Sequence, residues 1–166
     1  NPYSEAAVTF HLDWIGQRLD EANGSPPRAF YYDSFENRGN WCPELLDSFR
    51  RLRGYALEEH ADALAGRGNP DHVRRVVCDY RETLSDVLIA RVEQIVRWGK
   101  QRGSGLRMQA HGAPANLLDM YAAAEFVHYN LDCAQMARYY GLPCYSTAGV
   151  ADASEPGIQA AVEKML

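Results

Sequence analysis

Two short runs of this chain concentrate the side chains that acid–base chemistry and sugar recognition draw on. The first is Tyr32-Asp33-Ser34-Phe35-Glu36, and the second is Arg107-Met108-Gln109-Ala110-His111-Gly112. A carboxylate at the end of a strand, beside Arg, Gln and His, can act as a general acid and bind sugar hydroxyls. Asp33 and Glu36 supply the carboxylates, while Arg107, Gln109 and His111 supply donors and acceptors. The rings of Tyr32 and Trp41 suit the apolar face of a sugar. Each residue also has a plain structural role open to it. Asp33 can cap a turn, Glu36 can be a solvated loop charge, and His111 can be a satisfied core histidine.

Both runs follow short apolar stretches, and that placement sets what must hold them. Ala29-Phe30-Tyr31-Tyr32 reads as a buried strand from its length and aromatic content, and Leu106 to Ala110 reads as a second. Around them the spacing predicts helices. The first starts at Asn1-Pro2, with Ala7, Phe10, Trp14, Ile15 and Leu19 as its apolar stripe. Pro43 opens the next, with Leu45, Leu46, Phe49 and Leu52 on one face and Gly54 as its stop. A short helix covers 57–64. Asn69-Pro70-Asp71 is a strong start signal for a long helix carrying Val73, Val77, Tyr80, Leu84, Leu88, Val92, Ile95 and Trp98. Further helices are expected over 117–127, 131–140 and 156–166, with a third strand at Cys144-Tyr145-Ser146. Short apolar strands separated by helical crossovers predict an α/β fold, a partial (β/α) barrel with parallel strands and helix-rich connections. A complete eight-fold barrel takes about 250 residues, so three strands are well under half of one.

Composition narrows the function classes. The chain has 166 residues, 46% hydrophobic and 23% charged, in the range of a globular domain. A net charge of −5 offers no overall positive field for a nucleic-acid backbone. No apolar run approaches the ~20 residues of a membrane span, and no signal peptide is visible. Lys occurs only at 100 and 164 among the 17 basic residues, a bias that fits a high-GC bacterial genome. Arg50, Arg51, Arg53, Arg74 and Arg75 read as solvated helix faces. The four cysteines, at 42, 78, 133 and 144, lack zinc spacing and read as free thiols behaving as small hydrophobes. Gly103-Ser104-Gly105 has neither the Rossmann spacing nor a following Gly-Lys, so it is no phosphate loop.

Residues 1 to about 125 also resemble the α-L-rhamnosidases of glycoside hydrolase family 106, which implies a rhamnosidase-like partial barrel over 1–127. The matching pieces are Asn1-Pro2, Tyr31-Tyr32-Asp33-Ser34-Phe35-Glu36, Asn40-Trp41-Cys42-Pro43 and Arg53-Gly54-Tyr55. They continue with Asp79-Tyr80-Arg81-Glu82-Thr83-Leu84-Ser85-Asp86, Arg107-Met108-Gln109-Ala110-His111-Gly112 and Asn116-Leu117-Leu118-Asp119-Met120-Tyr121. The resemblance implies a catalytic (β/α)8 barrel, inverting hydrolysis of terminal α-L-rhamnosides, and a calcium that helps hold the sugar. It implies Glu36 as the general acid, with Asp33, Trp41, Arg107, Gln109 and His111 binding substrate. No residue of this chain matches the family's second carboxylate, so weak or no activity is expected in isolation.

From Leu131 onward the sequence is similar instead to the trimethylamine and glycine-betaine methyltransferases. Met136-Ala137-Arg138-Tyr139-Tyr140-Gly141-Leu142-Pro143 and Ala148-Gly149-Val150-Ala151-Asp152-Ala153 carry that likeness. Residues 128–166 are therefore expected to form a methyltransferase-like β/α unit packed in the same domain, the two pieces joining near residues 126–130. An incomplete barrel should leave apolar residues such as Phe30, Tyr32 and Met108 uncovered and favour self-association.

Overall fold

In a computed structural model, the structure describes residues 1–36, 39–124, 126–129 and 144–146. Its longest element is the helix α4, Pro70–Gln101. Asn69 caps it: the side-chain oxygen accepts from the backbone N–H of Asp71 at 2.9 Å and of His72 at 3.3 Å. That satisfies two of the donors a helix start leaves open. Every apolar position expected along α4 is buried or half-buried, with Leu88 and Val92 fully enclosed. Cys78, expected among them as a small hydrophobe, is exposed, whereas Cys42 is buried.

The first helix, α1 (Glu5–Glu21), departs from expectation at its start and on its face. Ser4, not Asn1, is the cap, its hydroxyl accepting from the Ala7 N–H. Asn1 instead closes a tight turn before the helix, its side chain accepting from the Tyr3 N–H. The buried line runs through Leu12 and Gly16, while Phe10 and Trp14 are 75% and 50% exposed. Of the expected stripe, Ala7, Ile15 and Leu19 are half-buried, and only the two rings fall outside the covered face. Helix α2 (Leu45–Arg53) ends at Gly54, whose φ of 81° is the left-handed conformation that terminates a helix cheaply only at glycine. A 3-10 turn at Leu57–His60 leads directly into the short α3, Ala61–Leu64.

Four strands form one parallel sheet in the order β1-β2-β3-β4: β1 (Ala29–Tyr32), β2 (Gly105–Met108), β3 (Phe126–Tyr129) and β4 (Cys144–Ser146). Phe126 and Val127 were expected in a helix running from Leu117. That helix, α5 (Leu117–Ala123), ends earlier, and the apolar run Phe126–Tyr129 becomes a strand beside β2. Four residues rich in aromatic and β-branched side chains fit an extended pleat better than a last helical turn. Cys144–Ser146 is a strand as expected. The helices expected over 131–140 and 156–166, and most of the methyltransferase-like segment, lie outside the described residues. Among the described residues, no helix is long and apolar enough to cross a membrane.

The chain divides into two compact units. One comprises 1–22, 37–91 and 114–116, and the other 23–36, 92–113 and 117–166. The first, helical unit has its core on Phe49, Leu57, Ala63 and Val76, with Leu46, Tyr55, Leu64, Val73 and Tyr80 packed around them. Full burial of a ring such as Phe49 contributes roughly 1.5–3 kcal/mol. In the second unit, side chains alternate across the strands with period two. Leu106, Met108 and Ala110 are at most 2% exposed, and Phe30 meets Trp98 of α4 with ring centroids 4.9 Å apart. Phe30, Tyr32 and Met108 are therefore not left bare: Met108 is fully enclosed and the two rings are half-buried. The open face is the other one, carrying Tyr31, Asp33, Arg107 and Gln109.

Candidate active site

In the helical unit, the residues of the matching motifs end on one another. Arg53, at the end of α2, donates to Thr83 at 3.0 Å, pairs with Glu82 at 3.1 Å and also pairs with Asp86. Thr83, fully buried, donates its own hydroxyl hydrogen bond to the Asp79 carbonyl at 2.7 Å. The Tyr55 hydroxyl donates to the Asp79 carboxylate at 2.8 Å. Positions 79, 82, 83 and 86 fall on one face of α4, since three- and four-residue steps stack along a helix. Tyr80 donates to the Asn40 carbonyl, the Asn1 amide to the Trp41 carbonyl at 2.8 Å, and Ser85 accepts from the Asn116 N–H at 2.9 Å. Arg53 is thus no solvated charge, as its helix-face position suggested, but a largely buried clasp between α2 and α4. Trp41 belongs to this unit; the residue is 48% exposed, and its backbone carbonyl accepts from the Asn1 amide.

Burial and the Asp79 carboxylate push the Tyr55 phenol up to about 12, because removing its proton would set a second negative charge beside the first. The Cys42 thiol is also raised, chiefly by burial and then by Glu44. A thiol held in its neutral form is a poor nucleophile, which leaves Cys42 a packing role.

The sheet unit treats its motif residues differently. Parallel pairing sets Tyr31 opposite Arg107 and Tyr32 opposite Met108, so the segments after both strands leave from the same end of the sheet. The register continues past the strands: the Gln109 N–H donates to the Tyr32 carbonyl at 2.9 Å, and the Phe35 N–H to the His111 carbonyl at 2.7 Å. Gly112 permits the second contact. Its φ is +78°, and a Cβ there would lie 2.8 Å from the Phe35 carbonyl oxygen. The backbone thus brings the Asp33–Glu36 and Gln109–His111 segments together, as the sequence led us to expect.

On the open face the Tyr31 hydroxyl faces two acceptors, the Gln109 Oε1 at 2.8 Å and an Asp33 carboxylate oxygen at 3.1 Å. A phenol has one proton, so it donates to one of them at a time. The Arg107 guanidinium sits 5.4 Å from the centre of the Tyr31 ring, within cation–π range. Burial and Asp33 raise the Tyr31 pKa, and Arg107 pulls against them. Asp33 also accepts from the Ser34 N–H at 2.7 Å, which fixes its carboxylate in a turn. Glu36 and His111 are exposed, and Arg107 and Gln109 are half-buried.

Of the two adjacent tyrosines, Tyr31 and not the expected Tyr32 shares the face of the polar groups. Tyr32 lies on the helix-covered face, where burial raises its pKa, and Tyr31 stands among the polar groups. The signal was present: Tyr31 and Asp33 share parity along β1, as Arg107 and Gln109 do along β2. Among the described residues no three or more His, Cys, Asp and Glu side chains gather into one metal-binding group, and the Asp33 carboxylate already serves Tyr31 and Ser34.

A family model described as alpha-L-rhamnosidase matches residues 3–128. It spans both motif-bearing units and ends within β3. No curated protein matches the chain.

Proposed function

The chain belongs to glycoside hydrolase family 106, described as alpha-L-rhamnosidase, and we propose that it forms part of a catalytic (β/α) barrel acting on terminal α-L-rhamnosides with inversion. The observation that carries this reading is the parallel β1–β2 pairing, which brings both polar segments to one sheet end. Active sites of parallel barrels occupy that end. The strand order also supports a barrel: four parallel strands follow one another in sequence, whereas a doubly wound sheet reverses at a switch point.

In this reading Glu36 is the general acid that protonates the departing glycosidic oxygen. Tyr31 offers its ring to the sugar, and Asp33, Arg107, Gln109 and His111 bond its hydroxyls. Inversion further requires a second carboxylate roughly 6.5–9.5 Å from the first, with room for water between them. Asp33 is tied into its turn and is assigned to binding instead. With the base unassigned on this chain, hydrolysis by the isolated polypeptide is weak or nil. Nothing among the described residues favours the corrinoid methyltransferase reading, which rests on 131–166 alone.

The test is hydrolysis of an α-L-rhamnoside with a poor leaving group, by the chain and by Glu36→Gln. Positioned acids contribute about 10²–10⁴-fold, so the variant should lose most of any measured rate. Equal rates would remove Glu36 from the role.

A further inference from the structure

The helical unit contains a pair of imidazoles that the sugar chemistry leaves unused. His60 closes the 3-10 turn, and His72 stands in the first turn of α4. The Nδ1 atom of His60 and the Nε2 atom of His72 are 3.2 Å apart, and the ring centroids are 5.0 Å apart. Both rings rest on defined supports. The Tyr55 ring meets His60 edge-to-face at 4.9 Å, and the Asn69 cap fixes the backbone of His72. His72 is exposed and His60 half-buried, so the gap between the two nitrogens opens to solvent.

We propose that His60 and His72 chelate a late first-row divalent ion such as Zn²⁺ through these two nitrogens. Zinc–imidazole bonds of about 2.0–2.1 Å in a tetrahedral site put two ligand nitrogens about 3.3–3.4 Å apart. The observed spacing is close to that separation, and loading the ion requires both rings to turn so that the two nitrogens, now facing each other across an N–H···N bond, converge on one point. Without metal, a single N–H···N bond spans the gap. For both nitrogens to ligate, that proton moves to the far nitrogen of its own ring, so the site loads neutral imidazoles with no net change in protonation. Water completes the coordination, because the pair supplies two ligands. Imidazole favours zinc, copper and nickel, whereas calcium takes oxygen ligands. The site therefore selects against calcium and is independent of the rhamnosidase reading.

The test is calorimetric titration of the full chain with Zn²⁺ and, separately, Ca²⁺. One Zn²⁺ should bind per chain and Ca²⁺ should not. His60→Gln and His72→Gln should each weaken zinc by more than the ~10–100-fold typical of losing a mere outer-shell partner. His11→Gln, on the exposed side of α1, should bind like the parent. Imidazole nitrogen NMR of the unaltered chain gives a second readout that needs no variant: zinc should shift His60 Nδ1 and His72 Nε2. Equal zinc binding by His72→Gln, or unshifted imidazole nitrogens at millimolar zinc, would overturn the proposal.

Discussion

The two units of this chain use the residues of one family pattern in opposite ways. In the helical unit, Arg53, Tyr55, Asp79, Thr83 and Asp86 are consumed by bonds to each other, and Asn1, Asn40, Trp41 and Ser85 join segments far apart in sequence. In the sheet unit, Glu36 and His111 stand exposed at strand ends, and Tyr31, Asp33 and Gln109 meet in a small polar cluster on an open face. A charged side chain inside a motif is therefore not by itself a catalytic one. Satisfied neighbours mark the part of the pattern that builds the scaffold, and polar groups left facing outward from a strand end mark the part available to a substrate.

That contrast can be attacked first where the effect should be largest. Arg53→Met removes three charge-assisted contacts from a side chain only 16% exposed. Bonds to charged groups are worth about 1.5–3 kcal/mol, and Glu82 and Asp86 are partly solvated, so a loss of about 2–3 kcal/mol is expected in urea unfolding. Gln109→Ala, on the open face, should move the midpoint by no more than about 0.5 kcal/mol. Similar losses for both would erase the distinction between scaffold and site.

Gly112→Ala should follow, at about 1–2 kcal/mol, because alanine pays for the left-handed backbone and its Cβ would press on the Phe35 carbonyl. The amide signal of Phe35 should shift with it. An unchanged signal and melt would mean that the two strand-end segments are not joined through this contact.

The smallest effect is present at neutral pH and fades in alkaline solution. Tyr55 titrates near 12 when folded and near 10 when unfolded, so its contribution is complete below pH 10 and is lost as pH rises toward 12. Tyr55→Phe should lower stability at neutral pH by about 1 kcal/mol and flatten part of the decline between pH 10 and 12. Tyrosinate absorbance followed alongside unfolding would check it. A variant whose alkaline decline matches the parent would detach Tyr55 from Asp79.

Much of this architecture was legible wherever local chemistry and tertiary structure agree. Asn69-Pro70-Asp71 began α4, Gly54 ended α2, and Ala29–Tyr32 formed β1 because each signal acts within a few residues. Phe126–Tyr129 was misread because a four-residue apolar run fits a helix end as well as a strand, and only the neighbouring β2 decides. Phe10 and Trp14 fit the helical spacing of the apolar stripe yet stand exposed, because spacing alone does not say how wide a face of α1 is covered. At the site, Asp33, Arg107 and Gln109 were legible from strand-end position. Tyr31 was missed although period-two alternation put it on their face. The clasp of Arg53 was not legible, since nothing local tells a solvated arginine from one whose partners lie about thirty residues away.

The most direct measurement is an amide NMR titration of the chain with L-rhamnose. Saturable shifts are predicted at Tyr31, Asp33, Gln109 and His111, with Arg53, Asp79 and Asp86 unmoved. Shifts centred on the Arg53 clasp, or none at the strand ends up to saturating sugar, would contradict the assignment of this sheet end as the sugar site.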